Sequence, residues 1–392
     1  MLNFTYWNGT KLFFGKGTLS NLGPQISAYG RKVLLVTGGG SVKASGLYDK
    51  VVAELRGAGL TFFELSGIQS NPKLSAVYQG IELCKKNKIE FVLAVGGGSV
   101  IDTAKAVGIG ALSERDVWDY YRSGPTGACP ATTSLPIGAV LTVAATGSEM
   151  NGNSVITNWE TKDKLSVVGC EQSYPKFSIL DPENTYTVPK AATVNGCADI
   201  LAHSFEAYFS KTPETPLQDR ILEGIMTTVI ANAPRVVANP RDYDARANIM
   251  WCGTMALNYL AGLGKAQDWA CHKIEHELSA IYDIAHGAGL AILFPNWMRY
   301  VLGEGAGIFK QYAERVWAVP AGTMSDEAAA LEGIKRTRAF FASLGLPSRL
   351  AEVGIDATNI ETMAEKAVRF GPLGGYKKLQ KADVLEILRM SL

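Results

Sequence analysis

The chain has 392 residues, of which 47% are hydrophobic and 19% charged, and its formal net charge at pH 7 is +1. A chain of this length can form two domains that each bury an apolar core, so folding requires neither disulfides nor a structural metal. A net charge near zero provides no large field of one sign, which argues against nucleic acid or an anionic membrane as the partner. We therefore expect a small-molecule ligand, and we expect any bound metal to be catalytic.

The cysteines are spread along the chain without a CxxC pair. This spacing argues against a zinc ribbon and a dense disulfide framework, and it predicts reduced, mostly buried thiols. Residues 1–17 lack a basic region followed by an apolar run, and no stretch approaches the roughly 20 apolar residues of a membrane helix. We therefore expect a cytoplasmic protein. The six cysteines are Cys84, Cys129, Cys170, Cys197, Cys252 and Cys271.

Residues 31 to about 185 alternate short apolar, β-branched runs with segments of helical periodicity. The runs RKVLLVT, LTFFEL and IEFVLAV are separated by GLYDKVVAELRGAG and LSAVYQGIELCKKNK. This rhythm is typical of βαβ units, and it predicts a parallel, doubly wound sheet.

After residue 186 the strand-like runs nearly vanish. Amphipathic segments such as PLQDRILEGIMTTVIANAPRVV follow one another with Gly or Pro between them, which predicts an all-helical domain. We place an α/β domain at residues 1–186 and an all-helical domain at residues 187–392, and we expect a ligand to bind in a cleft between them.

Two strands of the α/β half run directly into Gly-Gly-Gly-Ser, at Gly38–Ser41 and Gly96–Ser99. Glycines let the backbone approach a ligand closely, and the free N–H groups at a helix start attract a pyrophosphate. We predict Ser99 as the N-cap of the following helix. Neither loop matches GxGxxG or a P-loop, so a glycine turn that only connects strand and helix remains the alternative.

The choice between NAD and NADP depends on the groups near the adenosine ribose. A carboxylate there would bind the 2′-OH of NAD and repel the 2′-phosphate of NADP. The first strand ends at Gly38 rather than Asp, and the nearby Lys43 could pair with a phosphate. Against this, we expect Glu64 to end the second strand, where a ribose-binding acid is common, so both cofactors stay open at this point.

A third loop, LTVAATGSEMNGNS, follows another predicted strand and is rich in hydroxyl groups. It carries Thr142, Thr146, Ser148 and Glu149 around Gly147. Such loops can bind phosphate and ribose oxygens, although turn formation alone would also explain the composition.

All four histidines of the chain lie in the helical half: His203, His272, His276 and His286. Asp199 and His203 are four residues apart, which places them on one face of a helix, and the same spacing separates His272 from His276. Three imidazoles and a carboxylate suit Zn(II) or Fe(II) with a position left for substrate. Spacing does not decide between His272 and His276, and it does not exclude Glu206 or Glu275 in place of Asp199.

These motifs resemble those of the iron-containing (group III) alcohol dehydrogenases over nearly the whole chain. The matching segments are GGGSVIDTAK at 96–105, ATGSE at 145–149, the Asp199 and His203 pair with Glu206, and His272-x-x-x-His276 with His286-Gly287. The stretch DWACHKIEHELSAIYDIAHGAGLAILFPNW is most similar to the branch of butanol dehydrogenases and NADPH-dependent aldehyde reductases. Cys271 and Ala285 depart from the residues common in that branch, threonine and proline.

The resemblance implies a dehydroquinate synthase-like architecture, a homodimer and a role for particular residues. Fe(II) or Zn(II) would be bound by Asp199, His203, His272 and His286, while His276 would lie beside nicotinamide and substrate. Relatives that use NAD tend to carry Asp at the position of Gly38, so this chain would prefer NADP(H). The dinucleotide contacts implied are Gly38, Gly39, Ser41, Gly97, Gly98, Ser99, Asp102, Thr142, Thr146 and Lys164.

The sequence thus predicts reversible hydride transfer between NADP(H) and a small aldehyde, with the metal acting as a Lewis acid. One alternative is a metal- and NAD-dependent lyase resembling dehydroquinate synthase. Such an enzyme must bind a phosphate and a carboxylate, whereas the segments around the histidines offer mainly Lys265 and Lys273. The other alternative is a non-catalytic nucleotide- or metal-binding protein.

Overall fold

The computed structural model describes residues 1–122, 131–322 and 324–392. Its strands are β1 (Lys11–Phe14), β2 (Lys32–Gly38), β3 (Thr61–Ile68), β4 (Phe91–Gly96), β5 (Ile137–Leu141), β6 (Ser154–Asn158), β7 (Asp163–Val167) and β8 (Phe177–Leu180). Six of them form one sheet in the order β1-β8-β5-β4-β2-β3, and β6 pairs with β7 in a separate two-stranded sheet.

Every pairing in the six-stranded sheet is parallel, as predicted. In β2, which has a neighbouring strand on each side, Leu34 lies opposite Phe63 of β3 and Val92 of β4. Strands buried on both faces need apolar side chains at successive positions, which is why β2 and β4 are continuous runs rather than alternating ones.

The helices of this part of the chain are α1 (Leu22–Ser27), α2 (Ser41–Ala44), α3 (Leu47–Gly57), α4 (Leu74–Asn87), α5 (Gly98–Leu112) and α6 (Val117–Arg122). Alternate residues of the sheet pack against opposite layers: Val33 and Leu35 contact the apolar side of α1 and α3, whereas Leu34 and Val36 contact that of α4 and α5. The sheet is therefore covered on both faces, which confirms the predicted doubly wound arrangement.

The remaining helices are α7 (Lys190–Tyr208), α8 (Pro216–Ala238), α9 (Tyr243–Ala256), α10 (Ala270–Tyr282), α11 (His286–Val301), α12 (Gly307–Trp317), α13 (Asp326–Ser343), α14 (Ile360–Ala367) and α15 (Lys381–Met390). An aromatic core joins α7, α11 and α12. Phe205 packs against Phe294 and Tyr312, and Phe209 stacks on Phe309 at a ring-centroid distance of 4.5 Å.

The chain divides into two compact units, one α/β and one helical. The α/β unit comprises residues 7–193 and 239–254, and the helical unit comprises residues 1–6, 194–238 and 255–392. The division differs from the predicted one: the main boundary falls at 193/194 rather than 186/187, and most of α9 belongs to the α/β unit. The apolar periodicity of α9 identifies a helix, but it cannot indicate which core the helix covers.

Among the described residues, α8 is the one helix whose length and composition would allow it to cross a membrane. The sequence prediction that no segment approaches this threshold was therefore too strict. Glu223 of α8 is buried, accepts a hydrogen bond from Tyr208 and pairs with Arg315. These contacts are those of a core helix in the helical unit. Of the six cysteines, the five described ones are buried, and Cys129 lies outside the described residues.

We predict that Gly138→Val destabilises the protein by about 1–3 kcal/mol, because it overpacks the sheet. A Cβ at Gly138 would lie 2.6 Å from a ring atom of Phe177 and 2.9 Å from one of Phe91. Gly57→Ala is the matched control, because a Cβ there would meet no described atom within 4 Å. Urea unfolding checks both variants; an unchanged midpoint for Gly138→Val would contradict the packing argument.

Candidate metal and dinucleotide sites

Helix α7 carries the first two candidate metal ligands on one face. Asp199 and His203 are 3% and 5% exposed, and the Nε2 atom of His203 lies 3.6 Å from Oδ1 of Asp199. The four-residue spacing brings the side chains together, as the sequence predicts.

Glu206, one turn further along α7, fixes the start of α10. Its carboxylate accepts hydrogen bonds from the backbone N–H groups of Trp269, at 2.5 Å, and His272, at 3.2 Å. A carboxylate at a helix N-terminus satisfies donors that have no partner within the helix and interacts favourably with the helix dipole. This contact holds the first turn of α10, and with it His272, beside α7.

Gly287 allows the start of α11 to approach α7 closely. A Cβ at this position would lie 2.1 Å from the backbone oxygen of Asn195, so any larger residue would force the helices apart. Asn195 is one turn before Asp199 on α7. His286, the first residue of α11, is therefore placed next to Asp199.

Three imidazoles converge on one carboxylate oxygen. The Nε2 atoms of His203, His272 and His286 lie 3.6, 3.8 and 3.7 Å from Oδ1 of Asp199. Ligands about 2.0–2.2 Å from a tetrahedral ion would be about 3.3–3.6 Å apart. Asp199 Oδ1 and His272 Nε2 are buried without a hydrogen-bond partner in the described part of the chain. Asp199, His272 and His286 have ligand atoms within 4.8 Å of one another, and with His203 beside Asp199 they fit a divalent cation.

Buried carboxylates hold the far sides of two of these imidazoles. Glu206 Oε1 lies 2.7 Å from Nδ1 of His272, and Glu275 contacts Nδ1 of His286. A carboxylate on Nδ1 fixes the ring and leaves Nε2 to face a metal. The geometry therefore favours Asp199 as the oxygen ligand, and it favours Glu206 and Glu275 as groups that orient the histidines.

The electrostatics of this cluster follow from its burial. Burial lowers the pKa of His203 to about 3. Burial also lowers that of His272, but its pairing with Asp199 and Glu206 outweighs burial and raises the pKa to about 9. Burial raises the pKa of Asp199, but the surrounding imidazoles bring it below its ordinary value. A cation at Nε2 of His272 must therefore compete with a proton.

His276 lies one turn after His272 on α10 and points to a different group of side chains. Its ligand atom falls within 4.8 Å of those of Glu275 and His286, whereas His272 and His286 form such a group with Asp199. The ring centroids of His276 and His286 are 5.8 Å apart. The structure thus separates two histidines that the spacing could not distinguish, and it favours His272 as the ligand.

In the α/β unit, the glycine loop after β4 and the hydroxyl-rich loop after β5 meet at the start of α5. The N-cap is Gly97 and the helix begins at Gly98. The prediction that Ser99 is the N-cap was therefore wrong. A Cβ at Gly98 would lie 2.5 Å from Oγ1 of Thr146. Thr142 donates its backbone N–H to Gly96 at 3.0 Å. The free N–H groups of the helix start are therefore bordered by Thr146.

The loop after β2 is open around its glycines. A Cβ at Gly38 would have its nearest atom 3.6 Å away, and one at Gly39 would meet no described atom within 4 Å. Ser41 is the first residue of the short helix α2. This loop therefore has room for a ligand group or a longer side chain.

Glu64 does not end its strand, contrary to the sequence prediction. It pairs with Leu35 in the middle of β3, which continues to Ile68. Its side chain accepts a hydrogen bond from Tyr48 and lies 3.5 Å from Lys43. The carboxyl end of β3, where a ribose-binding acid would be needed, is about 13 Å further along the strand at about 3.3 Å per residue.

Two of the remaining candidates for dinucleotide contact already form hydrogen bonds with other residues of the protein. Lys164 is buried and donates to Oδ1 of Asn71 at 2.9 Å. Asp102 is buried, and its carboxylate accepts hydrogen bonds from Ser148 and from the backbone of Val155. Asn71 was missed by the sequence analysis, although an Asn-Pro step after a strand marks a loop that can carry function.

The sequence analysis also missed a cavity in the α/β unit. Val143 and Ala144 of the loop after β5 line it together with residues that no sequence pattern singled out: Thr185, Val188, Thr193, Arg246 and Ile249. Arg246 is buried and donates to Thr193. It lies on α9, which the sequence analysis placed in the other domain.

Family comparisons agree with this combination of sites. The family model described as iron-containing alcohol dehydrogenase matches residues 9–182, and that described as the C-terminal part of the Fe-containing alcohol dehydrogenase family matches residues 193–392. The chain belongs to the iron-containing alcohol dehydrogenase family. It is an oxidoreductase, and the lyase hypothesis is not supported.

Individual relatives cover the whole enzyme. It is 46% identical to an NADH-dependent butanol dehydrogenase A of Clostridium acetobutylicum, over 100% of both chains. It is 38% identical to an NADPH-dependent aldehyde reductase of Escherichia coli, over 95% of this chain and 94% of that one. A crystal structure of an NADH-dependent butanol dehydrogenase A from Thermotoga maritima matches it with a TM-score of 0.94 and 41% identity, over 100% of this chain and 99% of that chain.

We predict that His272→Ala purifies with little metal and that His276→Ala retains it. Loss of one of four ligands lowers metal affinity, whereas loss of a neighbouring general acid–base group typically lowers the rate by about 10²- to 10⁴-fold. Metal analysis and steady-state kinetics on both variants provide the check. A metal-free His276→Ala together with a metal-replete His272→Ala would show that the two roles are reversed.

Proposed function

We propose that the enzyme reduces short aliphatic aldehydes such as butanal, reversibly, with NADP(H) and one divalent cation. Fe(II) or Zn(II) would be held by Asp199, His203, His272 and His286. The observation that carries this proposal is the convergence of three Nε2 atoms on Oδ1 of Asp199, within 3.8 Å, in a buried cluster.

The cation, when bound, polarises the carbonyl oxygen of the substrate as a Lewis acid. The chain's own residues keep the ligands in place. Glu206 and Glu275 fix the rings of His272 and His286, so that little reorganisation is needed when charge develops. His276, which is buried beside Glu275 and His286, would orient the substrate or pass a proton to its oxygen.

The dinucleotide would bind at the carboxyl ends of the parallel strands, where α/β proteins bind their ligands. The pyrophosphate would lie at the start of α5, whose free N–H groups and helix dipole attract anions. The proposed contacts are Gly38, Gly39, Ser41, Gly97, Gly98, Ser99, Thr142, Thr146 and Lys164. Asp102 is a further proposed contact, and it also has an indirect role that is argued below.

The substrate class rests on the names of the relatives, which include butanol dehydrogenases and an aldehyde reductase. One structural observation supports it. Lys265, one of two lysines near the histidines that a phosphate-binding lyase could use, is buried and paired with Asp219. The charge of Lys265 is therefore already paired within the protein and is not free to bind a substrate phosphate.

The preference for NADP(H) rests on the end of β2. Gly38 offers no carboxylate to the ribose, and Glu64 lies too far back along β3 to replace one. The names of the relatives include both cofactors: the butanol dehydrogenases are called NADH-dependent and the aldehyde reductase is called NADPH-dependent. We also infer a cytoplasmic homodimer, for which the family resemblance is the support.

We expect the unmodified enzyme to use NADPH with a higher kcat/KM than NADH. Gly38→Asp should reverse this preference, because the carboxylate would face the 2′-phosphate and could accept a hydrogen bond from the 2′-OH. Gly38→Asn serves as the control, since it adds a side chain of nearly the same size at the same position without the charge. Kinetics with both cofactors test the idea, which fails if the unmodified enzyme uses NADH equally well or better.

We expect butanal reduction to require the metal. Removal of the cation with a chelator should abolish NADPH oxidation, and Fe(II) or Zn(II) should restore it. Circular dichroism before and after treatment controls for unfolding. A folded, metal-depleted protein that retains the full rate would overturn the Lewis-acid mechanism, and a metal-replete protein that reduces no aldehyde would support the non-catalytic alternative.

A further inference from the structure

Lys105 is a fully buried lysine on α5 that the proposed chemistry does not use. It is 0% exposed, and its ammonium donates to Ser148 Oγ at 2.8 Å, to Asn151 O at 2.8 Å and to Asn153 O at 2.7 Å. Burying a charge is costly unless its donors are satisfied. All three of these acceptors belong to residues 146–155, which we call the post-β5 loop.

Asp102, one turn earlier on the same helix, binds the same loop. Its Oδ1 accepts a hydrogen bond from Ser148 Oγ at 2.6 Å, and its Oδ2 accepts one from the backbone N–H of Val155 at 2.9 Å. Its backbone oxygen accepts a further bond from Ser154 at 2.9 Å. Two residues on one face of α5 thus hold both the beginning and the end of the post-β5 loop.

The network holds one ammonium, that of Lys105, near two buried carboxylates, those of Asp102 and Glu149. Burial lowers the pKa of Lys105 to about 8, with the charges of Asp102 and Glu149 opposing the shift. Glu149 accepts a hydrogen bond from Thr254 at 2.5 Å and is likewise buried. Hydrogen bonds to charged groups are stronger than neutral ones, so these bonds hold the loop more firmly than neutral ones would.

The same helix and the same loop form the proposed pyrophosphate site. α5 begins at Gly98, and Thr146 at the head of the loop lies against that glycine, closely enough that a Cβ would be 2.5 Å from its Oγ1. Movement of the loop would therefore move Thr146 into or away from the space where the phosphates would approach the helix N–H groups.

We propose that Lys105 and Asp102 are positioning residues of the dinucleotide site, which set the distance between Thr146 and the start of α5 by holding the post-β5 loop on the helix. This inference rests on the proposed dinucleotide binding at α5. It adds an indirect role for Asp102 to the contact that the family resemblance implied, because both of its carboxylate oxygens accept hydrogen bonds from the loop.

The test compares Lys105→Met with the double variant Asp102→Asn/Lys105→Met and with the milder Ser148→Ala. Direct NADPH and NADH binding is measured by fluorescence titration, alongside KM, kcat and the thermal midpoint. Hydrogen bonds to a charged group stabilise the folded loop by about 1.5–3 kcal/mol, which sets an upper limit of roughly 10- to 100-fold on the affinity lost when the loop shifts. We expect Lys105→Met to weaken both cofactors by the same factor, with kcat at saturation within about twofold.

The double variant separates positioning from stability. It removes both charges, so it should regain much of the thermal midpoint lost in Lys105→Met while cofactor binding stays weak. Lys105→Arg should retain more affinity than Lys105→Met. If Lys105→Met does not fold, Ser148→Ala carries the test, because it removes only the hydroxyl between Lys105 and Asp102, with an expected loss of about 5- to 10-fold.

Glu90→Ala is the matched control. Glu90 lies just before β4, at the opposite end of that strand from the glycine loop. Its carboxylate accepts hydrogen bonds from the backbone N–H groups of Arg31 and Lys32. The Glu90→Ala substitution should lower the thermal midpoint and leave cofactor binding unchanged. Parental binding in the folded double variant and in Ser148→Ala would overturn the positioning role. An unmodified enzyme that binds neither dinucleotide would overturn the proposed function itself.

Discussion

The carboxylate of Asp199 is the group on which the organisation of the helical unit depends. A buried, ionised carboxylate requires positive or hydrogen-bonding partners, and here three imidazole nitrogens surround one of its oxygens. Those imidazoles come from α7, α10 and α11, so the starts of α10 and α11 must meet the second half of α7 at one point. The features that bring them there are a carboxylate that caps α10, Glu206, and a glycine that lets α11 approach α7, Gly287.

In the α/β unit, the proposed dinucleotide site depends on the backbone N–H groups at the start of α5. β4 and β5 are neighbours, so the loops that follow them meet at the start of α5. Gly98 allows close approach at that point, and the buried ammonium of Lys105 holds the second loop in place. In the proposed dinucleotide site, the buried charge of Lys105 thus fixes the shape of the loop that borders the start of α5.

The family assignment and the structure support different levels of the functional description. Membership in the iron-containing alcohol dehydrogenases establishes the reaction class. The buried cluster around Asp199 supports the choice of ligands within it. The proposed preference for NADP(H) rests on Gly38 and on the place of Glu64 in the middle of β3, whereas several relatives are named NADH-dependent.

The sequence by itself determined what depends on local periodicity and composition: the parallel sheet, the helical half, the glycine loops and the candidate set of histidines. These follow because apolar spacing reports directly on which face of a strand or helix is buried. The tertiary structure added what spacing left open: it favours His272 over His276 as a ligand, places Glu206 and Glu275 at the far sides of the imidazoles, turns Asp102 toward a loop and places most of α9 in the α/β unit. Each of these depends on contacts between residues distant in the chain, which no local pattern encodes.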